Sequence, residues 1–198
     1  MNITAKMIIV LTILTTLIGG ILAAWDGFTA PKIQQHRQEA LEAAIAEVLP
    51  SYSTYEKIST GSFPLYVGKR EDGSVVGVAF EASGSGFQGV ISMMVGLTPD
   101  FRKITGLKVL EQVETPGLGA RIAGDPMNKS NPGWFTDQFK GVDPLPKIDA
   151  VKNQKPSNPH EIQAITGATI SSKSVVKILN TLIQKAKTAY QQSTGQVS

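Results

Sequence analysis

Thr166-Gly167-Ala168-Thr169 stands at the mouth of a helix that reads as amphipathic. The residue types there suit an anion. A helix start presents N–H groups with no acceptor inside the helix and about half a unit of positive charge. Gly167 and Ala168 leave room for a bulky group, and Thr169 places a hydroxyl just ahead of those N–H groups. A phosphate would be stabilised at that point, and one joined to the Thr169 oxygen would be held without other contacts. Small residues before a helix also serve simply as a turn and a cap. A second stretch, VLEQVETPGLGARI over residues 109–122, fixes a tight exposed backbone at Pro116, Gly117 and Gly119, with apolar Leu118 in its middle. It reads either as an ordinary turn with a hydrophobic plug or as a platform for a flat ring.

Other patterns lead nowhere comparable. GSGFQG at 84–89 has dinucleotide-loop spacing, but the following VISMMVGL alternates like a strand, so no helix start is there to hold a pyrophosphate. A glycine-rich turn between strands fits better. His36 and His160 lack ligand-spaced neighbours and assemble no catalytic triad. The chain has no cysteine, which excludes disulfides, cysteine zinc sites, iron–sulfur ligation and thiol chemistry. A net charge of +3 with scattered basic residues gives no nucleic-acid footprint.

The elements that must position the two stretches are legible by period. A final helix is expected to begin near Ser171 to Ser174, with Val175, Val176, Ile178, Leu179, Leu182, Ile183 and Ala186 in one apolar stripe. Ser171 or Ser172 serves as its cap, and the tail QQSTGQVS frays. Strand-like runs precede it: PLYVGKR, a turn at Glu71-Asp72-Gly73, VVGVAFEA, the alternating Phe87, Gly89, Ile91, Met93, Val95 and Leu97, then Ile104–Gln112 beyond the turn Pro99-Asp100. Short connections between adjacent strands predict an antiparallel sheet and an α+β class. Residues 114–147, rich in Gly, Pro and Asn, form a long loop of the kind that carries function, interrupted by a short helix at WFTDQF; a strand at Ile148–Lys152 follows.

The beginning of the chain has another character. Met7 to Trp25 carries no charge and matches the roughly 20 residues a spanning helix needs. Its length favours an uncleaved span over a cleaved signal peptide. With so short a leading end, the bulk of the chain is placed outside the cytoplasm, as a single-pass protein of the cytoplasmic (inner) membrane. Pro31 opens a helix through KIQQHRQEALEAAIAEVL that stops at Pro50, and polar SYSTYEKISTGS is a connector. The expected organisation is a cytoplasmic tip and transmembrane anchor (1–25), a helical connector (26–60), the main domain (61–192) and a tail (193–198).

Taken together, the single span, SGFQG, ETPGLG, the Trp134-Phe135 segment followed by Phe139-Lys140-Gly141, and TGAT before the last helix resemble the G subunit of the Rnf electron-transport complex and its relative, the C subunit of the sodium-pumping NADH:quinone reductase. The resemblance covers residues 1 to about 190. It implies that residues 61–192 are an FMN-binding domain and that FMN is joined by a phosphoester to the last threonine of TGAT, Thr169, by a separate flavin transferase. It implies that Thr166, Gly167 and Ala168, with Glu114, Thr115, Gly117, Leu118 and Gly119, lie against the cofactor. Lys152 is the matching candidate for a nearby lysine, and Trp134 an aromatic neighbour. The partners implied are the other membrane subunits of an Rnf-type complex, with no nucleic acid, and the function is electron relay in an ion-translocating ferredoxin:NAD oxidoreductase, the subunit not being catalytic alone. One position departs from the family pattern: Gln163 stands where an aspartate is usual, with Glu161 two residues earlier. A flavin-free assembly subunit, or an FMN-binding domain of another membrane reductase, are the rival readings.

Overall fold

The computed structural model describes residues 2–49, 51–60 and 63–195. The chain divides into two compact units, residues 1–41 and 42–198. In chain order the elements are α1 (Ile3–Val48), β1 (Thr54–Thr60), β2 (Phe63–Lys69), β3 (Val75–Ser85), β4 (Val90–Leu97), β5 (Ile104–Gln112), a 3₁₀ turn (Gly119–Ile122), α2 (Trp134–Asp137), β6 (Asp149–Val151), β7 (Glu161–Gln163) and α3 (Thr169–Thr194).

The first unit is helical. Its apolar side chains face outward, and an eighteen-residue window with mean hydropathy 2.5 is long and apolar enough to cross a membrane. The anchor and the second helix expected from Pro31 are one continuous element, α1, with Pro31 in its interior. A proline there forfeits one helical hydrogen bond and crowds the carbonyl four residues back. That carbonyl belongs to Gly27, and the helix continues through it. The expected stop at Pro50 lies outside the described residues, as does the tail from residue 196 onward; α1 ends at Val48.

The second unit is built on an antiparallel meander in the order β1-β2-β3-β4-β5. Alternation fixes which side chains are buried together. Val78, Phe80 and Ala82 of β3 and Met93, Val95 and Leu97 of β4 join the α3 stripe of Val175, Leu179, Ile183 and Ala186 in one core. Gly96 and Gly106 pair across β4 and β5 and receive the end of α1: a Cβ at Gly106 would lie 2.8 Å from the Val48 Cα. Thr105 Oγ1 donates to the Val48 carbonyl at 2.6 Å there.

Three elements differ from the periodic reading. TYEKIST, within the expected connector, is strand β1 at the edge of the sheet, paired with β2 from Thr54↔Lys69 to Thr60↔Phe63. Its polar composition suits an edge, where charged side chains discourage pairing with another chain, and Lys69 Nζ meets Glu56 at 2.6 Å across it. A second sheet, β6 with β7, is parallel. Finally, α3 runs on through QQST to a left-handed cap at Gly195, so that part of the tail is helical rather than frayed.

Candidate functional site

Helix α3 begins two residues before the expected cap serines. Ala168 occupies its N-cap position, and no side chain caps it. Ser172 acts elsewhere. Its Oγ accepts the Ile165 N–H at 3.0 Å and donates to the Ala168 carbonyl at 3.0 Å, locking the TGAT turn. Gly167 sits at φ +85°, a conformation side-chain-bearing residues rarely adopt. The first-turn N–H groups, which have no intrahelical acceptor, therefore open toward whatever lies in front of Thr169.

In front lies a cleft of about 370 Å³, lined by Phe87, Glu114, Thr115, Leu118, Gly119, Lys152, Gly167, Ala168, Thr169, Ile170 and Ser171. Four separate segments converge here. The β6–β7 ladder brings Lys152, which directly follows β6, level with the approach to TGAT: Val151 pairs with Gln163, and the Ala164 N–H donates to the Val151 carbonyl at 2.8 Å. Asn180 of α3 pins the start of that ladder through the Ile148 N–H and carbonyl at 2.8 and 2.9 Å.

Glu114 ties the cleft together although it is only 4% exposed. Its Oε1 accepts the N–H groups of Phe87 and Gln88 at 2.7 and 3.0 Å, and its Oε2 accepts the Ser171 hydroxyl at 2.5 Å. Burial pushes the Glu114 carboxyl up, but the hydrogen bonds from Ser171 and the Gln88, Phe87 and Gly89 backbone outweigh it and hold it below its ordinary value. Gly119 passes against this contact. A Cβ there would lie 2.6 Å from both Glu114 Oε2 and Ser171 Oγ, so only glycine fits without displacement.

A second buried carboxylate, Asp125, lies outside the cleft lining and braces the loop that follows it. Asp125 Oδ2 accepts Arg121 Nε and Nη2 at 2.9 and 2.6 Å, and Oδ1 accepts the Met127 N–H at 3.0 Å. The Arg121 bonds are the main reason its carboxyl lies below the ordinary value. Arg121 Nη1 reaches on to the Thr166 carbonyl at 3.4 Å, linking this loop to TGAT.

Of the residues the sequence singled out, Thr169, Gly167, Ala168, Glu114, Thr115, Leu118, Gly119 and Lys152 line the cleft. Thr166, Gly117 and Trp134 are not among the lining residues. Thr166 contributes its carbonyl to Arg121, and Trp134 directs its indole N–H to Asp125 at 3.4 Å. Three lining residues escape the periodic reading. Phe87, which by alternation belongs to a face of β4, sits in the preceding turn and is 59% exposed. Ser171, a cap by its position in the sequence, instead donates to Glu114. Ile170 is also 59% exposed; an apolar residue off the α3 stripe is the available signal. Glu161 offers no free carboxylate, since it holds its own loop through the Ser157 N–H and hydroxyl and Asn158 Nδ2 at 2.8, 2.9 and 2.7 Å.

The volume falls in the range of about 300–1,000 Å³ typical of small-molecule and cofactor sites. Its exposed apolar rim, uncapped helix start and nearby lysine suit a molecule that is flat and apolar at one end and anionic at the other. Residues 86–184 match the FMN-binding domain family, to which this chain belongs. The match begins at the turn carrying Phe87 and ends inside α3, so it contains every lining residue of the cleft.

The relatives narrow this further. The chain is 32% identical over 189 residues to the G subunit of the ion-translocating oxidoreductase complex of Methanosarcina acetivorans, covering 90% of this chain and 92% of that one. It is 29% identical over 196 residues to the G subunit of the Na(+)-translocating ferredoxin:NAD(+) oxidoreductase complex of Acetobacterium woodii, covering 90% and 89%. The chain is a member of this family of G subunits. The solved structure of the C subunit of the Na(+)-translocating NADH-quinone reductase from Parabacteroides distasonis shares the fold at 20% identity, with a TM-score of 0.60 over 79% of this chain and 95% of that one.

Proposed function

We propose that this chain is the electron-transfer subunit of a membrane-bound, Rnf-type ion-translocating ferredoxin:NAD oxidoreductase complex, and that it carries FMN joined through a phosphoester to Thr169. The observation that carries the reading is the convergence of Thr169, Lys152 and the 114–119 loop on one cleft at an uncapped helix start. FMN supplies reversible one- and two-electron chemistry when bound, which the side chains of this cysteine-free chain do not. The protein's part is placement. The first turn of α3 and Lys152 hold the phosphate end, Leu118, Phe87 and Ile170 offer apolar contact to the ring, and Glu114 fixes the walls from behind. Thr169 would retain a cofactor that no cytoplasmic flavin pool could replenish, consistent with residues 1–25 as tip and anchor and the main domain outside the cytoplasm. Attachment would require a flavin transferase, and the other membrane subunits would donate and accept the electrons.

The test is co-expression with a flavin transferase, denaturation, and gel electrophoresis under ultraviolet light. Wild type should fluoresce, Thr169→Ala should be dark, and peptide mass spectrometry should place the adduct on residue 169. A dark wild type would favour a flavin-free assembly subunit; fluorescence of both chains would place the attachment elsewhere.

A further inference from the structure

Helix α3 carries the strongest charge asymmetry in the chain. Between Thr169 and Thr194 it contains Lys173, Lys177, Lys185 and Lys187 and no aspartate or glutamate. Those four positive charges exceed the whole chain's net charge of +3, leaving the remainder at −1. No ion pair among the described residues uses any of them; the seven pairs present all lie outside α3.

The lysines continue the cleft along the helix. At about 100° per residue, Ile170, Lys177, Thr181 and Lys185 fall within one strip, with Lys173 beside it. Ile170 is the exposed apolar residue at the rim of the cleft, and Lys173, Lys177, Thr181 and Lys185 are all exposed. Between this strip and the end of β3 runs a groove of about 340 Å³. Lys177 and Lys185 form one wall with Thr181, Ser83 and Ser85 bring hydroxyls from β3, and no carboxylate lines it.

We infer that this strip and groove are where an acidic face of a protein redox partner docks, bringing its own redox centre to the cleft mouth. The inference rests on the flavin reading above. Charge selects the partner: unpaired lysines with no acid among them attract carboxylates, and the hydroxyls can donate to the same groups. Spacing favours several carboxylates over a single small anion, because Lys173, Lys177 and Lys185 are spread over about 18 Å of the helix axis. Concavity argues against a flat lipid surface as the occupant. Position supplies the purpose, since Lys173 and Lys177 lie within about 5 and 11 Å of Ile170 along the axis, near the Debye length of about 10 Å at 0.1 M salt. A partner steered by these charges arrives at the cofactor's edge, and such redox contacts are small and electrostatically guided.

Two measurements test it on the flavin-loaded full chain. The first is zero-length carbodiimide cross-linking in the membranes of cells that make the whole complex, followed by peptide mass spectrometry. Lys173, Lys177 or Lys185 should be joined to an Asp or Glu of another protein of the complex. Cross-links only between copies of this chain, or lysines that remain uncross-linked while those of other regions react, would overturn the inference. So would loss of binding to anionic phospholipid vesicles in Lys173→Glu/Lys177→Glu with no protein cross-link, which would assign the strip to the membrane surface.

The second is stopped-flow oxidation of the detergent-solubilised chain, reduced to the end point with dithionite. Each reduced flavin yields two electrons and two protons, the electrons converting two ferricyanide ions to ferrocyanide. The ferricyanide rate should fall by about tenfold as salt rises from about 0.01 M to about 0.2 M, and the rate with hexaamminecobalt(III) should rise. In Lys173→Glu/Lys177→Glu, which takes α3 from +4 to 0, both trends should flatten, with Lys185→Glu having the smaller effect. Equal salt dependence in wild type and variant would defeat the proposal. Flavin fluorescence on the denaturing gel is read for every variant: an absent flavin counts against the cofactor reading, while a present flavin with no charge discrimination counts against the docking face alone.

Discussion

The meander β2–β5 and the irregular stretch from Val113 to Ala168 are neighbours in space and opposites in construction. In the meander, each strand pairs with its neighbour in sequence, and away from the register shifts at Gly68/Lys69, Ser92/Met93 and Gly96/Leu97 two-residue alternation tells a side chain which face to take. In the stretch that follows, the only regular elements are the 3₁₀ turn, a four-residue helix and the three-residue strands β6 and β7, and the important bonds join residues far apart. Glu114 meets Ser171 and Phe87, Arg121 reaches Thr166, and Ile148 meets Asn180. The sheet is held by area removed from water. The cleft is held by a few buried, fully partnered polar groups, so the two regions should fail differently when altered.

Phe80→Ala should show the sheet's mode of failure. Phe80 is fully buried in the main core, and truncation should cost about 3–5 kcal/mol in urea or thermal unfolding. Flavin loading should fall only in proportion to the folded fraction. Glu114→Gln should show the other mode. Weakening its charge-assisted hydrogen bonds should cost about 1.5–3 kcal/mol at pH 7 and lower flavin loading beyond what the loss of folded protein explains. Its pH dependence has a definite sign. The folded carboxyl lies below its ordinary 4.5, so its contribution is present above 4.5 and is lost as pH falls through the lower folded value. Denaturant midpoints of wild type and Glu114→Gln should therefore differ at neutral pH and converge under acid. A gap unchanged by acid would remove Glu114 from the account.

Gly119→Ala should cost about 1–3 kcal/mol by forcing Glu114 and Ser171 apart, and should diminish flavin loading more than stability. Trp134→Phe removes one long hydrogen bond to Asp125, should cost about 1 kcal/mol or less, and should leave the flavin absorption spectrum unchanged, since Trp134 does not line the cleft. A shifted spectrum would return Trp134 to the cofactor's surroundings. Thr169→Ala should have the least effect on stability, within about 0.5 kcal/mol, because this half-buried side chain caps nothing. If its unfolding midpoint shifted as far as that of Glu114→Gln, Thr169 would be a structural residue as well.

Much of the sheet and most of the cleft are legible without the folded structure. β5 begins and ends where the alternation does, at Ile104 and Gln112. β1 cannot be read the same way, because an exposed edge strand has no buried face to impose a period. The parallel β6–β7 ladder is illegible for another reason: strands of three residues carry too little pattern, and their partnership is decided by Asn180 on a distant helix. Phe87 and Ile170 look like strand and helix residues by type, and only their exposure beside Leu118 reveals them as a rim.

The order of residues alone determined the apolar N-terminal helix, the alternating strands, the stripe of α3 and the small-residue turn at TGAT, because each is a local pattern that neighbours in sequence enforce on one another. The tertiary structure alone decided that Phe87, Ile170 and Ser171 join Glu114, Lys152 and Thr169 in one cleft, and that a basic strip without ion pairs among the described residues leads away from it. Those facts depend on hydrogen bonds between segments tens of residues apart and on which charges find partners, and neither has a period that a linear sequence can display.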